Sequence, residues 1–115
     1  MNTTTALTPT ATATVSIERI GDMLVFKHTG EGNASAKTLD TVARLAQMDA
    51  AGELAGGGLI KVNGPLLVPV AAVFGHVLAH RFSAVAFFVP PMNSFVVAMT
   101  HGDSTHKVGD ALPTS

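Results

Sequence analysis

The chain has 115 residues, about one domain's worth, which excludes a multidomain enzyme with its own cofactor module; 47% of them are hydrophobic and only 13% charged, against about 25% in ordinary domains, and the imbalance excludes a largely disordered chain and a coiled coil. Seven Lys and Arg against eight Asp and Glu give a net charge of -1, too little positive charge to hold long nucleic acid, where each contacted phosphate asks for a cation. Cysteine is absent and histidine occurs five times, so disulfides, thiolate zinc centres and cysteine nucleophiles are excluded, imidazole chemistry is open, and a cytoplasmic location is allowed.

Seven threonines fall between Met1 and Thr14, with no basic segment leading into an apolar core. Residues 1–14 therefore read as a disordered tail, neither secretory signal nor membrane anchor, and residues 15–112 as a single domain. Val15 to Ile20 nearly alternates apolar and polar side chains, Gly21-Asp22 signals a turn, and Met23 to His28 returns, which predicts a hairpin. After the Gly30-Glu31-Gly32-Asn33 loop, Leu39, Val42, Leu45, Ala46 and Met48 recur at near-helical spacing, with Lys37, Asp40 and Arg44 opposite, so a helix is expected over about Ser35 to Ala51. Gly56-Gly57-Gly58 does not continue a helix; Leu59 to Val62 reads as a short strand, and Asn63-Gly64-Pro65 turns the chain.

Leu66 to Arg81 predicts a second, buried helix that tolerates Pro69 in its first turn. His76, His80 and Arg81 interrupt this most apolar region, and its longest apolar run is well short of the roughly 18 residues a membrane span needs. Ser83 to Val89 and Ser94 to Thr100 are apolar on successive residues, like strands covered on both faces, and Val108 to Leu112 adds a short edge strand. The order predicts an α/β or α+β domain, a mixed sheet of five to six strands packed by two helices. So small, apolar and charge-poor a chain is expected to hide surface against other copies of itself.

His76 and His80, four apart on the second helix, leave one face a turn apart and share either a metal or a phosphate. The alternative is one satisfied core histidine and one oligomer contact, since zinc normally wants at least three protein ligands. A hairpin turning about Met92 sets His101 opposite Ser83, just past His80 and Arg81, so the three would converge; a one-residue slip would aim His101 at the other face. The turn from Lys61 to Pro65 joins a strand end to a helix start, where backbone N–H groups favour an anionic oxygen such as phosphate; alternatively Asn63 caps the helix and Gly64 supplies an unusual backbone angle. Thr100-His101-Gly102-Asp103 gathers a hydroxyl, an imidazole and a carboxylate, a kind of cluster common at strand ends. Phe82, Phe87, Phe88 and Phe95 read as core, and the motifs of P-loop triphosphatases, zincins and the usual serine hydrolases are missing.

Gly58-Leu59-Ile60-Lys61-Val62-Asn63-Gly64-Pro65, Leu78-Ala79-His80, Ala84 to Val89, Phe95 to His101 and Val108-Gly109-Asp110 follow one another in an order that resembles the small CRISPR-associated ring nucleases of the Csx-three family. The resemblance spans roughly Gly57 to Leu112, about half of the chain. It implies a distantly Rossmann-like protein that binds cyclic tetra-adenylate, the second messenger of type III CRISPR defence, and opens the ring to switch off effectors. It also implies self-association into dimers that sandwich the ligand pairwise, as tetramers or filaments, with manganese or another divalent ion assisting cleavage. By position, His80 and His101 match catalytic histidines, and Asn63 and Gly64 match the turn facing the ligand. Lys61, His76 and Arg81 would add ligand contacts, and His80, His101 and Asp103 would hold the metal. The family's Asp-Pro step falls here on Pro90-Pro91-Met92, which lacks the carboxylate and the cation after it. Asp103 or Asp110 would have to replace that carboxylate, or the chain sequesters the ring without cutting it, or it is a structural oligomer.

Overall fold

Alternation along the first two strands produces the hairpin that opens the fold. In the computed structural model, which describes residues 14–102 and 105–114, β1 (Val15–Ile20) and β2 (Met23–His28) pair antiparallel from Val15 opposite His28 to Ile20 opposite Met23. Gly21, at φ 62, makes the tight turn that L-residues with a Cβ resist. Residues 1–13 of the threonine-rich tail lie outside the described residues. Thr14, expected to close that tail, belongs to the domain instead: its N–H and Oγ1 donate to Asp40 Oδ2 at 3.0 and 2.9 Å, and its carbonyl accepts from the Thr29 N–H.

Helix α1 (Ala34–Ala50) begins one residue before the expected start, because Asn33 is the N-cap and its side chain accepts from the Ala36 N–H at 2.9 Å. Its inward face corrects the predicted stripe. Lys37, Asp40, Thr41, Leu45 and Met48 are buried at helical spacing, whereas Leu39 and Ala46 are exposed. The two charged residues turn inward because they meet fixed partners: Lys37 Nζ donates to the Thr29 carbonyl at 2.7 Å and to His28 Nδ1 at 2.9 Å, and Asp40 accepts from Thr14.

Gly57 and Gly58 of the glycine run lie inside β3 (Gly57–Asn63), so the strand is longer than the four residues expected. Helix α2 (Val68–Ala79) is two residues shorter than predicted at each end, with Pro69 in its first turn, where a missing N–H costs nothing, and His80 as its C-cap. It leads into β4 (Phe82–Val89), a 3₁₀ turn at Pro90–Met92 closed by Asn93 at φ 50, β5 (Ser94–Thr100) and β6 (Ala111–Leu112). The last strand is shorter than the predicted Val108 to Leu112, because Lys107 to Asp110 forms a turn in which the Asp110 N–H donates to the Lys107 carbonyl and Gly109 takes φ 95.

The six strands lie in chain order, β1-β2-β3-β4-β5-β6, with β2, β3 and β4 parallel and the other neighbours antiparallel. The domain is thus α+β with a mixed six-stranded sheet and two helices, as expected. Both crossovers step one strand in the same direction, and right-handed connections then deliver both helices to one face. There Phe26, Phe74, Leu45, Ile60, Val62 and Leu78 form the main core. β4 and β5 carry buried side chains on both faces, as expected, although the two helices pack on one face only. On the second face Ala86, Phe95 and Val97 bury one another with help from Leu59, Phe88 and Leu112, and among the described residues no helix lies over them. No described helix is long and apolar enough to cross a membrane.

Candidate functional site

Strand direction sorts the predicted site residues into two groups. The C-terminus of α2 and the starts of β3 and β4 lie at one end of the sheet; the ends of β3 and β4 and the starts of both helices lie at the other, about 20 Å away along a seven-residue strand. His76, His80, Arg81 and His101 occupy the first end. Asn63, Gly64 and Pro90, the position of the family's Asp, occupy the second.

His101 reaches α2 through a β-bulge. At the tip of the β4–β5 hairpin Phe88 pairs with Phe95 and Ala86 with Val97, a register that would set His101 opposite Phe82. One extra residue between Val97 and Met99 moves the pairing to Val85 with Met99 and Ala84 with Thr100. The His101 N–H then donates to the Ser83 carbonyl at 2.6 Å, and His101 Nδ1 lies 3.3 Å from the Ala79 carbonyl, next to His80. A carbonyl only accepts, so this contact asks for a proton on Nδ1, and Nε2 is not engaged by it. His101 thus stands opposite Ser83 at the α2 end, as expected, by a register the sequence does not display.

His76 and His80 stack edge to face, ring centroids 5.1 Å apart and planes at 86°. Both are exposed, so neither is a core histidine. Arg81 is committed elsewhere: its Nε and Nη2 donate to the two carboxylate oxygens of Asp49, each at 2.8 Å, a fork-to-fork pair between the ends of α2 and α1. Its contribution to an anion is limited to what that pair leaves over. The same hydrogen bonds hold the Asp49 carboxyl below the ordinary carboxylate range and raise the Arg81 guanidinium. Because the folded carboxyl is the stronger acid, its stabilising contribution is complete near neutral pH and disappears as pH falls through the folded value. The gap in urea midpoint between the wild type and Asp49→Asn is accordingly expected to be small at pH 7, since both groups are exposed, to shrink in 1 M salt, and to close in acid.

Lys61 stands apart from both groups. It projects from the helix-free face, 3.6 Å from Asp22 and 5.5 Å from the centroid of Phe95. Asn63 does not cap α2, whose N-cap is Leu67 without a side-chain bond; Gly64 does take an unusual angle, φ 139. Asp103 lies outside the described residues. Among those described, no three His, Asp or Glu side chains gather closely enough to hold a metal ion, so the described residues of one copy offer the stacked, exposed imidazoles of His76 and His80 and, on the Ala79 carbonyl, His101, and no complete donor set for manganese.

Two participants were not anticipated. Asp49 had a legible signal: an acidic side chain in the last turn of a helix opposes the helix dipole, and its presence there asks for a tertiary cation. Lys37 with His28 had none, because nothing local says that a lysine in an amphipathic helix turns inward.

Compared with protein-family models, curated proteins and solved structures, the chain matches none.

Proposed function

We propose that the protein is a cytoplasmic ring nuclease that binds cyclic tetra-adenylate and opens it by cleaving a phosphodiester bond. The observation that carries the reading is that His76 and His80 stack at the C-terminal end of α2 and His101 reaches the Ala79 carbonyl at the same end, since the two histidines matching the family's catalytic pair come from distant parts of the chain. Imidazole is suited to the chemistry. Water or a ribose 2′-hydroxyl attacks phosphorus in line, one imidazole takes the nucleophile's proton, and another returns a proton to the departing 5′-oxygen. A compact ring also suits a chain of net charge -1, because its four phosphates can be met by groups repeated through symmetry.

Asn63 and Gly64 lie about 20 Å from His80 within one copy, so a ligand that touches both must lie between the histidine end of one copy and the turn end of another. That matches the sandwich the resemblance implies. The deciding experiment is native mass spectrometry with cyclic tetra-adenylate, with and without manganese, followed by chromatography of the nucleotide. Linear adenylates are expected, together with a larger assembly; absence of binding overturns the reading.

The alternative is a protein that sequesters the messenger uncut, favoured by Pro90 where the family has Asp. Pro90 starts a 3₁₀ turn at the far end from His80, so a carboxylate there acts across the junction between copies. Pro90→Asp is therefore expected to add manganese-dependent cleavage, and Pro90→Asp with His80→Ala is expected to regain it when mixed with a variant that keeps His80. Intact ligand held in a larger assembly would establish sequestration.

A further inference from the structure

β1 is an edge of the sheet, and only alternate residues of its backbone face β2. The Asp22 carbonyl accepts from the Lys61 N–H, so Asp22 and Leu24 face β3, whereas Met23, Val25 and Lys27 face β1. Their partners Ile20, Glu18 and Ser16 point inward, which directs the N–H and C=O groups of Val15, Ile17 and Arg19 away from the sheet. Such an edge is a template for another chain. Here it is closed at one point: Arg44, half-buried on α1, donates through Nη2 to the Ile17 carbonyl at 3.1 Å. Beside that point lies a cavity of about 580 Å³ lined by Glu18, Arg19, Gly21, Arg44, Gly52 and Glu53. Backbone carbonyls, not carboxylates, hold its two guanidiniums. Arg19 donates through Nε to Gly21 at 2.8 Å and through Nη1 to Glu53 at 3.1 Å and to Ala55, and among the described residues neither arginine forms an ion pair. Cations fixed in place without a counter-charge suit a planar oxyanion, and Arg44 engages only Nη2, which leaves its other N–H groups for one. Glu18 and Glu53 make the lining neutral overall, which disfavours a doubly charged phosphate.

We infer that this edge captures the free C-terminus of a partner polypeptide, laid antiparallel to β1 and ending beside Ile17. The terminal carboxylate accepts from the Arg44 guanidinium and from the Arg19 backbone N–H, and the terminal residue's own N–H donates to the Arg19 carbonyl. A chain that continued would meet the Ile17 carbonyl already taken by Arg44. A chain that ends there places its charge on the very group that closes the edge. The penultimate side chain then falls beside Ile20, which is 60% exposed, with Glu18 diagonally across on the same face. Lysine fits that place, its apolar stem against Ile20 and its ammonium toward Glu18. The contact needs neither a nucleotide nor a second copy of this chain, and it is independent of the ring-nuclease reading.

The test is fluorescence anisotropy of the full chain in low salt, with a fluorescein-labelled Gly-Ser-Val-Lys-Ala peptide ending in a free carboxylate. Binding at about 100 µM or tighter is expected, and the same peptide ending in an amide is expected to bind at least about tenfold more weakly. Arg44→Gln is expected to weaken the acid about tenfold, and Lys27→Gln, an exposed cation away from the edge, to leave it unchanged. Glu18→Lys, at an exposed side chain that keeps the fold whatever Arg44→Gln does, is expected to move the preference from Val-Lys-Ala to Val-Glu-Ala. The inference is overturned by acid and amide binding alike, by no binding at about 1 mM, by a folded Arg44→Gln that binds as the wild type does, or by an unchanged preference in Glu18→Lys. Complete displacement of the peptide by about 10 mM sodium acetate would make this a site for a lone carboxylate and overturn the polypeptide assignment.

Discussion

Gly64→Ala is expected to leave the protein unfolded or barely folded at 25 °C. Gly64 has φ 139, and a Cβ built on it falls on the carbonyl oxygen of Phe26, with the carbonyl carbon and the Phe26 Cβ 3.0 Å away. The obstacle is backbone and cannot rotate aside. Phe26 is itself fully buried and meets Phe74 edge to face at 5.7 Å, so a displaced β2 carries the displacement into the main core. The backbone angle alone costs about 1–3 kcal/mol for a residue with a side chain. With the forced separation of β2 from the end of β3, the total is expected to exceed about 4 kcal/mol, most of the ~5–15 kcal/mol a small domain has. Gly58→Ala is the control: it sits in β3, the strand that Gly64 follows, with nothing within 4 Å of its added Cβ, and a change within about 1 kcal/mol is expected. Urea unfolding of the two variants by circular dichroism decides it, and a Gly64→Ala midpoint equal to that of the wild type would show that β2 yields at no cost.

Element order was legible because each element carries its own local signal. Alternation marks β1 and β2, Gly21-Asp22 turns between them, Asn33 caps α1, and Pro69 sits where a helix start accepts it. The inward face of α1 was not legible. Lys37 and Asp40 are buried only because the end of β2 and Thr14 supply acceptors and donors at 2.7–3.0 Å, and those partners come from elements that apolar periodicity does not see. The helix end of β5 shows a second kind of limit. His101 meets α2 by virtue of one bulged residue, and a bulge in a continuously apolar strand leaves no pattern, since every neighbour is equally apolar. The separation of His80 from Asn63 and Pro90 follows from strand direction, which was implicit once β3-α2-β4 was read as a crossover between parallel strands. Lys61 shares its face with Asn63, two residues on: the period of two that turns Ile60 and Val62 into the main core sends both to the other side.

His80→Ala is expected to lower the turnover of cyclic tetra-adenylate by about 10²–10⁴-fold, the usual worth of a positioned acid or base, and to leave assembly and ligand affinity nearly unchanged. The geometry permits so clean a loss. The His80 side chain is exposed and rests against His76, while its backbone N–H, which survives the substitution, donates to the Val77 carbonyl at 3.3 Å. Removing the ring therefore takes proton-transfer chemistry away and little packing with it. His101→Ala differs, because it also removes the contact with the Ala79 carbonyl that holds the imidazole against the helix end, so both affinity and turnover are expected to fall. Added imidazole separates chemistry from structure: it can enter the space left at an exposed His80 and carry a proton, and partial recovery of the His80→Ala rate is expected, whereas a merely structural loss would not respond. Full turnover by His80→Ala would take His80 out of the proton-transfer role, and His101, brought to the α2 end by the bulge, would then be the imidazole to test next.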